Sequence, residues 1–596
     1  MNTLSRFVIV MSLSELIAVA PEASGGTITP RLAGALRGSA ASVSHLVWVS
    51  FTDKGAQELG KTVAPSALVT EQSLRRRANV LPEESLVDGT DLPVDESYVT
   101  QLGVTGAVVQ NRSKWLNAVS VRATADQIRS IAALPFVREV ELVGRHKRSL
   151  PPPASPDDPA LTRPLAKTSG PHSLDYGPSI NQVSLINVPD LHDSGNYAQG
   201  VIVGVFDDGF RLPNHEAFAS LKVIATYDFV DKKVSVVPDS TWLGDHGVNT
   251  LSTIGGYKPG QIIGPAFGAS YILARTENTL SETPLEEDNW VRAIEWADSL
   301  GVQVTSTSLG YLDYDPGYSS WTWQDMDGRT TVISRAAAMA VRKGILVVSS
   351  AGNEGFSASH NTLTAPADAD SVVAAGAVDL SGMRASFSSV GPSTAVPPRI
   401  KPDLMAPGMS MYVASAFDAT GYAFGVQGTS FACPLVAGAA ALLVKAHPTM
   451  PPMKIVDAMK ATASRAYAPD NMMGWGIVNA RAAHNYLSGG DTSTPPQTPA
   501  SFILQQNYPN PFNPGTDVVY SLPVPSAISL TVYDMLGREI KTLASGQLAA
   551  GSRTARWDGR DNRNVPVAAG TYIYRLIANG PNGVQSVLSS KMILLR

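Results

Sequence analysis

Four short strings in this chain hold the residue types needed to cut an acyl bond. Ser430 lies in Gly428-Thr429-Ser430, directly before Phe431-Ala432-Cys433-Pro434-Leu435-Val436-Ala437-Gly438-Ala439-Ala440-Ala441-Leu442-Leu443. That run is small or apolar almost all round, so it reads as a buried helix. A serine at its start meets the positive end of the helix dipole and the first N–H groups, which favour negative charge. Taken alone it would be an N-cap. A hydroxyl becomes a nucleophile beside a base of near-neutral pKa, and histidine is the usual one. Of nine histidines, only His246 stands in a string of the form Asp245-His246-Gly247, leading into Val248-Asn249-Thr250-Leu251-Ser252-Thr253-Ile254. The glycine permits close backbone approach. The base in turn needs a carboxylate to fix its tautomer. Asp207 closes the apolar run Val201-Ile202-Val203-Gly204-Val205-Phe206 and is placed for that role; in isolation it would cap the next turn. Asn353, in Ser349-Ser350-Ala351-Gly352-Asn353-Glu354-Gly355, carries an amide that can donate to a developing oxyanion, with the Ser430 backbone N–H as its partner. Alone, that string is a turn.

The elements around these residues alternate. Val201–Phe206 is a continuous apolar strand, Trp290–Ala297 a helix, Val302–Leu309 a strand, Ile333–Val341 a helix and Ile345–Ser350 a strand. Apolar strands separated by helices indicate a parallel α/β sheet buried on both faces. Such sheets bind ligands at the carboxyl ends of their strands, and Asp207 and Asn353 fall just past two of those ends.

At 596 residues the chain is too long for one ordinary domain. With 44% hydrophobic and 16% charged residues it is globular. A net charge of −5 excludes the basic footprint of a nucleic-acid binder. The single cysteine, Cys433, excludes an internal disulfide framework and a cysteine-based metal site. No run of apolar residues reads as a transmembrane helix. Pro-rich linkers at 151–171 and 489–500 cut the chain into three parts. The first, 40–150, carries strand signals at His45–Phe51, Asn117–Val121 and Val137–Val143 and a helix at Ala125–Leu134, a small α+β domain. The second, 172–488, holds the α/β pattern. The third, 501–596, has short strands at Val518–Tyr520, Ser529–Tyr533, Ala555–Trp557 and Thr571–Ile577, bounded by turn residues, which indicates a β-sandwich. Arg6, the stretch Phe7–Ala20 and Ala18-Val19-Ala20 make residues 1–20 a candidate signal peptide, although Glu15 interrupts the stretch and Pro21 follows the cut.

The order Asp207, His246, Asn353, Ser430 and the strings around them resemble the subtilisin-like serine proteases (subtilases) over about 300 residues. Gly428-Thr429-Ser430-x-Ala432-x-Pro434-x-Val436-Ala437-Gly438 is the most specific string. Ser386-Phe387-Ser388-Ser389-Val390-Gly391-Pro392 and Lys401-Pro402-Asp403-Leu404-Met405-Ala406-Pro407-Gly408 support it. The resemblance implies a doubly wound parallel sheet and an endopeptidase. Ser430 would be the nucleophile, His246 the general acid/base and Asp207 its orienter. Asn353 would donate to the oxyanion with Thr429 in support, and Ser308-Leu309-Gly310 would be the strand that pairs with substrate backbone. No cofactor is implied for the chemistry. Structural calcium is common in the family, but Asp325-Met326-Asp327-Gly328 lacks the rest of a recognisable loop, so no metal ligand is assigned. Two departures stand out. Asp208 replaces the usual Thr or Ser, and a second carboxylate there can raise the pKa of Asp207 or His246. Val248-Asn249 replaces the commoner Thr-His.

The flanks carry resemblances of their own. Asp91-Leu92-Pro93-Val94 and Ser113-Lys114-Trp115-Leu116-Asn117-Ala118-Val119 resemble a subtilase prosegment, which implies a folding aid and intramolecular inhibitor that is later cut off. Asn507-Tyr508-Pro509-Asn510-Pro511-Phe512-Asn513-Pro514, Val532-Tyr533-Asp534-Met535-Leu536-Gly537-Arg538-Glu539, Gly570-Thr571-Tyr572-Ile573-Tyr574-Arg575 and Lys591-Met592-Ile593-Leu594-Leu595 resemble the sorting domain of the type IX secretion route, an immunoglobulin-like sandwich. That implies outer-membrane secretion machinery as a partner of 501–596 and a secreted or cell-surface location. The expected partners are otherwise protein or peptide substrates, and no nucleic acid. The competing reading is a catalytically impaired surface protein that uses the scaffold for binding. An esterase of another α/β fold would need Gly-x-Ser-x-Gly and the order Ser, Asp, His, which this chain lacks.

Overall fold

The computed structural model describes residues 25–37, 39–56, 64–143, 172–239, 244–278, 285–312, 320–489, 502–504, 507, 510, 512–548, 551–580 and 585–595. The candidate signal peptide, the linker 151–171 and nearly all of the linker 489–500 lie outside them, as do Tyr508, Pro509 and Pro511 of the string Asn507–Pro514.

The described residues fall into two compact units, one within 1–61 and 92–143, the other within 62–91 and 144–596. In the first unit, strands Thr27–Ile28, Ser44–Phe51, Val108–Ser113, Ala118–Thr124 and Val137–Leu142 form one five-stranded sheet. Helices Pro30–Arg37, Glu96–Val104 and Ala125–Ala132 accompany it. Val47, Val49, Phe51, Val119, Val121, Ile128, Ile131 and Val140 make its core. Thr124 and Gln127 close a capping box at the start of the third helix. This α+β domain differs from the expected 40–150 stretch in two ways. Its sheet begins before residue 40, and residues 62–91 fold with the other unit.

The second unit is built on seven parallel strands: β1 Ile202–Asp207, β2 Lys222–Asp228, β3 Ser270–Arg275, β4 Val304–Thr307, β5 Leu346–Ser350, β6 Val373–Val378 and β7 Leu404–Pro407. Their order is β7-β6-β5-β4-β1-β3-β2, so β1 sits where the winding reverses. The helices that matter here are α1 Glu71–Arg77, α2 Asp245–Gly255, α3 Leu285–Leu300, α4 Val332–Arg342 and α5 Thr429–Ala446. The strands of this sheet that read as unbroken apolar runs do so because both faces are covered: Val203 and Val205 are as buried as Phe206. Helix α5 packs on β4, β5, β6 and β7. It is long and apolar enough to cross a membrane, yet 89% of it is buried inside the protein, which makes it a core helix. Gly438 lets it pass Pro265, whose Cγ lies 2.3 Å from where a Cβ would stand.

Two expected elements are shorter or displaced. The strand expected over Val302–Leu309 is only β4, Val304–Thr307, so Ser308-Leu309-Gly310 leaves the sheet as an irregular segment. Gly310 turns there against Thr364, whose Oγ1 lies 2.1 Å from where a Cβ would stand. Asp207 is the last residue of β1 rather than the residue after it.

Residues 502–595 form an antiparallel sandwich. One sheet orders Ile503–Leu504, Thr516–Leu522 and Gly551–Trp557; the other orders Glu539–Leu548, Ser526–Tyr533, Gly570–Asn579 and Gln585–Leu594. Trp557, Tyr574, Leu530, Val518 and Phe512 fill its core. The strands Glu539–Leu548 and Gln585–Leu594 were not expected, because most of their side chains are only half-buried or exposed and give little apolar signal.

Candidate active site

Asp207 reaches the carboxyl end of β1, at the winding reversal, and is fully buried. Its two oxygens are held separately. Oδ1 accepts from the Asp208 backbone N–H at 2.9 Å and pairs with His246 Nδ1 at 2.6 Å; Oδ2 accepts from the Thr250 hydroxyl at 2.8 Å. His246 lies in the first turn of α2, and Thr250 is one turn further on the same face. The string after Asp245 therefore supplies both the imidazole and the hydroxyl that lock one carboxylate. With the carboxylate on Nδ1, the ring's Nε2 is the atom that can take a proton.

Gly247 is required at its position. A Cβ there would stand 2.0 Å from the Gly209 carbonyl oxygen, so any larger residue would push α2 off the β1 loop. The departures from the family strings have structural uses. Asp208 Oδ1 accepts from the Gly247 N–H at 3.0 Å, so this carboxylate satisfies a first-turn donor of α2. Val248 is fully buried in the core, and Asn249 Nδ2 donates to the Ala414 carbonyl at 2.9 Å. Behind the loop, Arg275 donates to the Asp208 carbonyl at 3.1 Å while paired with Asp228 and Asp231.

Ser430 is the second residue of α5 and not its cap, since Gly428 holds that place in a conformation with φ +149°. Its Oγ donates to the Ser308 carbonyl at 3.2 Å, and no hydrogen bond joins it to His246. In unliganded sites the nucleophile–base bond is often not yet closed. The Phe431 ring lies 6.0 Å from the imidazole, so the start of α5 and the start of α2 face one another. Ser308 returns a bond from its Oγ to the Ser430 carbonyl at 2.7 Å.

Asn353 lies in the loop after β5. Its Oδ1 accepts from both the backbone N–H and the hydroxyl of Thr429, each at 2.9 Å. The amide is thereby oriented by the residue next to Ser430, with its NH2 end turned away from Thr429. Gly352, at φ +111°, lets this loop close against Ser389, whose Oγ lies 2.7 Å from where a Cβ would stand. Ser350 ties in Leu309 by donating to its carbonyl at 3.0 Å. Cys433 sits one turn behind Ser430; burial pushes its thiol up to about 12, which keeps it a neutral packing residue.

The carboxylates of the turn Asp325-Met326-Asp327-Gly328 are engaged within their own loop. Asp325 accepts from Thr322, Asp327 accepts from Arg329 and Thr330, and Met326 is buried. No set of three ligand side chains gathers around it among the described residues.

Residues 198–476 match the model of the subtilase family, 46–156 that of the peptidase S8 propeptide domain of Bacteroidota, and 515–580 that of the FlgD Ig-like domain. Subtilisin DY of Bacillus licheniformis is 32% identical over 301 residues, which is 50% of this chain and 97% of that protein. The subtilisin of Bacillus pumilus is 32% identical over 313 residues, covering 52% of this chain and 98% of its own length. The chain belongs to the subtilisin family. It is a subtilisin-like serine protease with a propeptide domain. Its fold is also that of fervidolysin from Fervidobacterium pennivorans, at TM-score 0.53 and 19% identity over 96% of this chain and 78% of that one.

Of the residues the sequence points to, the structure brings Asp207 onto His246, Asn353 onto Thr429, and Ser308 onto Ser430. Thr250 was missed, although its spacing of four from His246 on a helix places the two on one face.

Proposed function

We propose that this subtilase is made as the precursor of a secreted endopeptidase whose chemistry is carried by Asp207, His246, Asn353 and Ser430. The observation that carries the reading is the 2.6 Å pairing of His246 Nδ1 with an Asp207 carboxylate whose other oxygen is held by Thr250. That arrangement presents Nε2 as a base of fixed direction. His246 takes the Ser430 proton as Oγ attacks the scissile carbonyl, then gives it to the leaving amine. Water, activated by the same nitrogen, resolves the acyl-enzyme. Asp207 stays ionised and stabilises the imidazolium. The negative oxygen of the tetrahedral intermediate is met by the Asn353 NH2 and the Ser430 N–H at the start of α5, with Thr429 holding the amide. Ser308-Leu309-Gly310, irregular backbone beside Ser430, takes up an extended substrate strand. No cofactor enters these steps.

In this reading the catalytic domain spans 172–488, the prosegment 40–150 inhibits it and is removed by proteolysis that begins within 151–171, and 501–596 directs export across the outer membrane. The propeptide match supports the first role. The antiparallel sandwich and the strings quoted above support the second.

The test is mass spectrometry of the full chain and its Ser430→Ala variant, each incubated alone and with casein. The expected result is loss of roughly 150–170 N-terminal residues and digestion of casein by the wild type alone, as a required nucleophile demands. Intact casein and an intact wild-type chain would reject it in favour of a binding protein on the same scaffold.

A further inference from the structure

Residues 70–91 lie inside the stretch that matches the propeptide model, yet they pack as part of the catalytic unit. Their contact is charged and buried. Thr70 caps α1 and donates its own N–H to the Ser299 carbonyl at the end of α3, at 2.9 Å. Arg76 reaches across two helix ends. It donates to the Val302 carbonyl at 2.7 Å, to the Lys343 carbonyl at 3.1 Å and to the Asp298 carboxylate. Arg77 takes the other Asp298 oxygen at 2.5 Å and holds Asp91 with two bonds of 2.7 and 2.8 Å. Lys343 joins Asp91 at 3.2 Å. All five charged side chains are at most 6% exposed. Burial works to raise Asp91, but the bonds from Arg77 and the nearby Lys343 prevail and hold it at about 2.

The charges balance in a telling way. Among its buried side chains the arm brings two arginines and one aspartate, a net +1, while its exposed Asp88 lies 3.7 Å from Lys343. The catalytic side brings Asp298, Lys343 and the carboxyl ends of α3 and α4, each worth about half a negative charge, a net of about −1. Backbone shape matches as well. Gly301 and Gly344, at φ +89° and +90°, follow α3 and α4, and a Cβ at either would meet the arm, at Gln72 (2.7 Å) or at the Arg76 carbonyl oxygen (3.1 Å). Asn79 adds a bond of 2.9 Å to the Pro448 carbonyl just beyond α5. Helices α3 and α4 lead into the amino ends of β4 and β5, so this surface is at the opposite end of the sheet from Asp207 and Asn353.

We propose that the ends of α3 and α4 around Asp298 form a docking surface for the arm 70–91, and that it retains the prosegment after the chain is cut. The arm is then an anchor at the end of the sheet away from Asp207 and Asn353. Its five buried charges are paired with one another across the contact, so a single cut in 151–171 leaves the pieces together. This inference rests on the precursor reading, but its test does not need peptidase activity.

The test uses the full chain carrying Ser430→Ala and, within 151–171, a recognition sequence for an added site-specific protease. After cutting, native mass spectrometry follows the two pieces on dilution. The parent pieces are expected to stay paired, and Arg76→Gln/Arg77→Gln or Asp298→Asn to raise the concentration of half-separation at least about 100-fold, the scale of one buried charge left alone. Arg75→Gln, at an exposed residue bridged to Glu71 within α1, is expected to change nothing. A synthetic 70–91 peptide added to the cut parent is expected to speed separation, and its Arg76→Gln/Arg77→Gln form not to; this arm holds even where a variant fails to fold. Equal retention by parent and variants, or a peptide without effect, overturns the proposal. An inactive wild type would remove the peptidase reading and leave retention as measured.

Discussion

Ser308 and Ser430 exchange two hydrogen bonds: the Ser430 hydroxyl donates to the Ser308 carbonyl at 3.2 Å, and the Ser308 hydroxyl donates to the Ser430 carbonyl at 2.7 Å. The second bond ties the first turn of α5 to the end of β4. The first holds Oγ at the segment proposed to bind substrate, and the hydroxyl must turn from it to His246 before reaction. Ser308→Ala keeps the carbonyl and deletes the tie. A bond of this kind is worth about 1 kcal/mol. If that stabilisation is lost from the transition state, kcat falls about fivefold with KM little changed. Steady-state kinetics on a peptide ester would show it, and an unchanged kcat would mean the tie is structural only.

Asn353 offers a sharper separation. Because Thr429 fixes its Oδ1, Asn353→Leu removes the donor proposed for the oxyanion without altering the Asp207–His246 pair. The expected loss is about 100- to 1,000-fold in kcat at near-constant KM, the scale of losing one oxyanion-hole donor. Thr429→Val keeps the amide but frees its orientation, so a smaller loss in the same parameter should follow. A rise in KM alone would place Asn353 in substrate binding instead.

The catalytic candidates were legible because each is announced by its own neighbours. Gly247 follows His246 because Gly209 leaves no room for a Cβ, and small residues surround Ser430 because α5 runs through the core. Such local necessities leave a trace in the string. The arm left none. Arg75-Arg76-Arg77 has the look of a solvated charge run, and it takes partners such as Asp298, more than two hundred residues away, to bury two of the three. Asp208 was legible as a departure but not in its use, since whether a carboxylate perturbs a neighbour or caps a helix depends on where α2 begins.

Gly247→Ala tests the packing that seats His246. The added Cβ would meet a backbone oxygen, and both partners are fixed, one by β1 and one by α2. Overpacking of this kind costs about 1–3 kcal/mol. Thermal unfolding of the Ser430→Ala chain, which cannot digest itself in the proposed reading, should show the loss. In the active chain the same substitution displaces the imidazole and should lower kcat well beyond what the stability change explains. Retained kcat and stability would show that α2 can shift without cost.

His192 sets an acid limit on stability. It is fully buried, with Nδ1 at 2.7 Å from the Tyr176 hydroxyl and Nε2 at 2.8 Å from the Pro265 carbonyl. A carbonyl only accepts, so Nε2 carries the hydrogen and the neutral ring's Nδ1 accepts from Tyr176. Burial pushes this histidine down to about 4, against a smaller pull upward from the Pro265 carbonyl. In the unfolded chain it titrates near 6.5. Above that value neither state binds the proton and stability is unaffected. Between about 6.5 and 4 the unfolded chain takes up a proton that the folded chain refuses, so stability falls as pH falls, by up to roughly 3 kcal/mol. Below about 4 both states are protonated and this residue adds no further loss. Denaturant unfolding of the Ser430→Ala chain at pH 7.5, 5.5 and 4.0 measures the slope. His192→Gln should be less stable at pH 7.5, because it fills the site imperfectly, yet lose less on acidification. Parallel pH profiles for the two chains would assign the acid sensitivity to other groups.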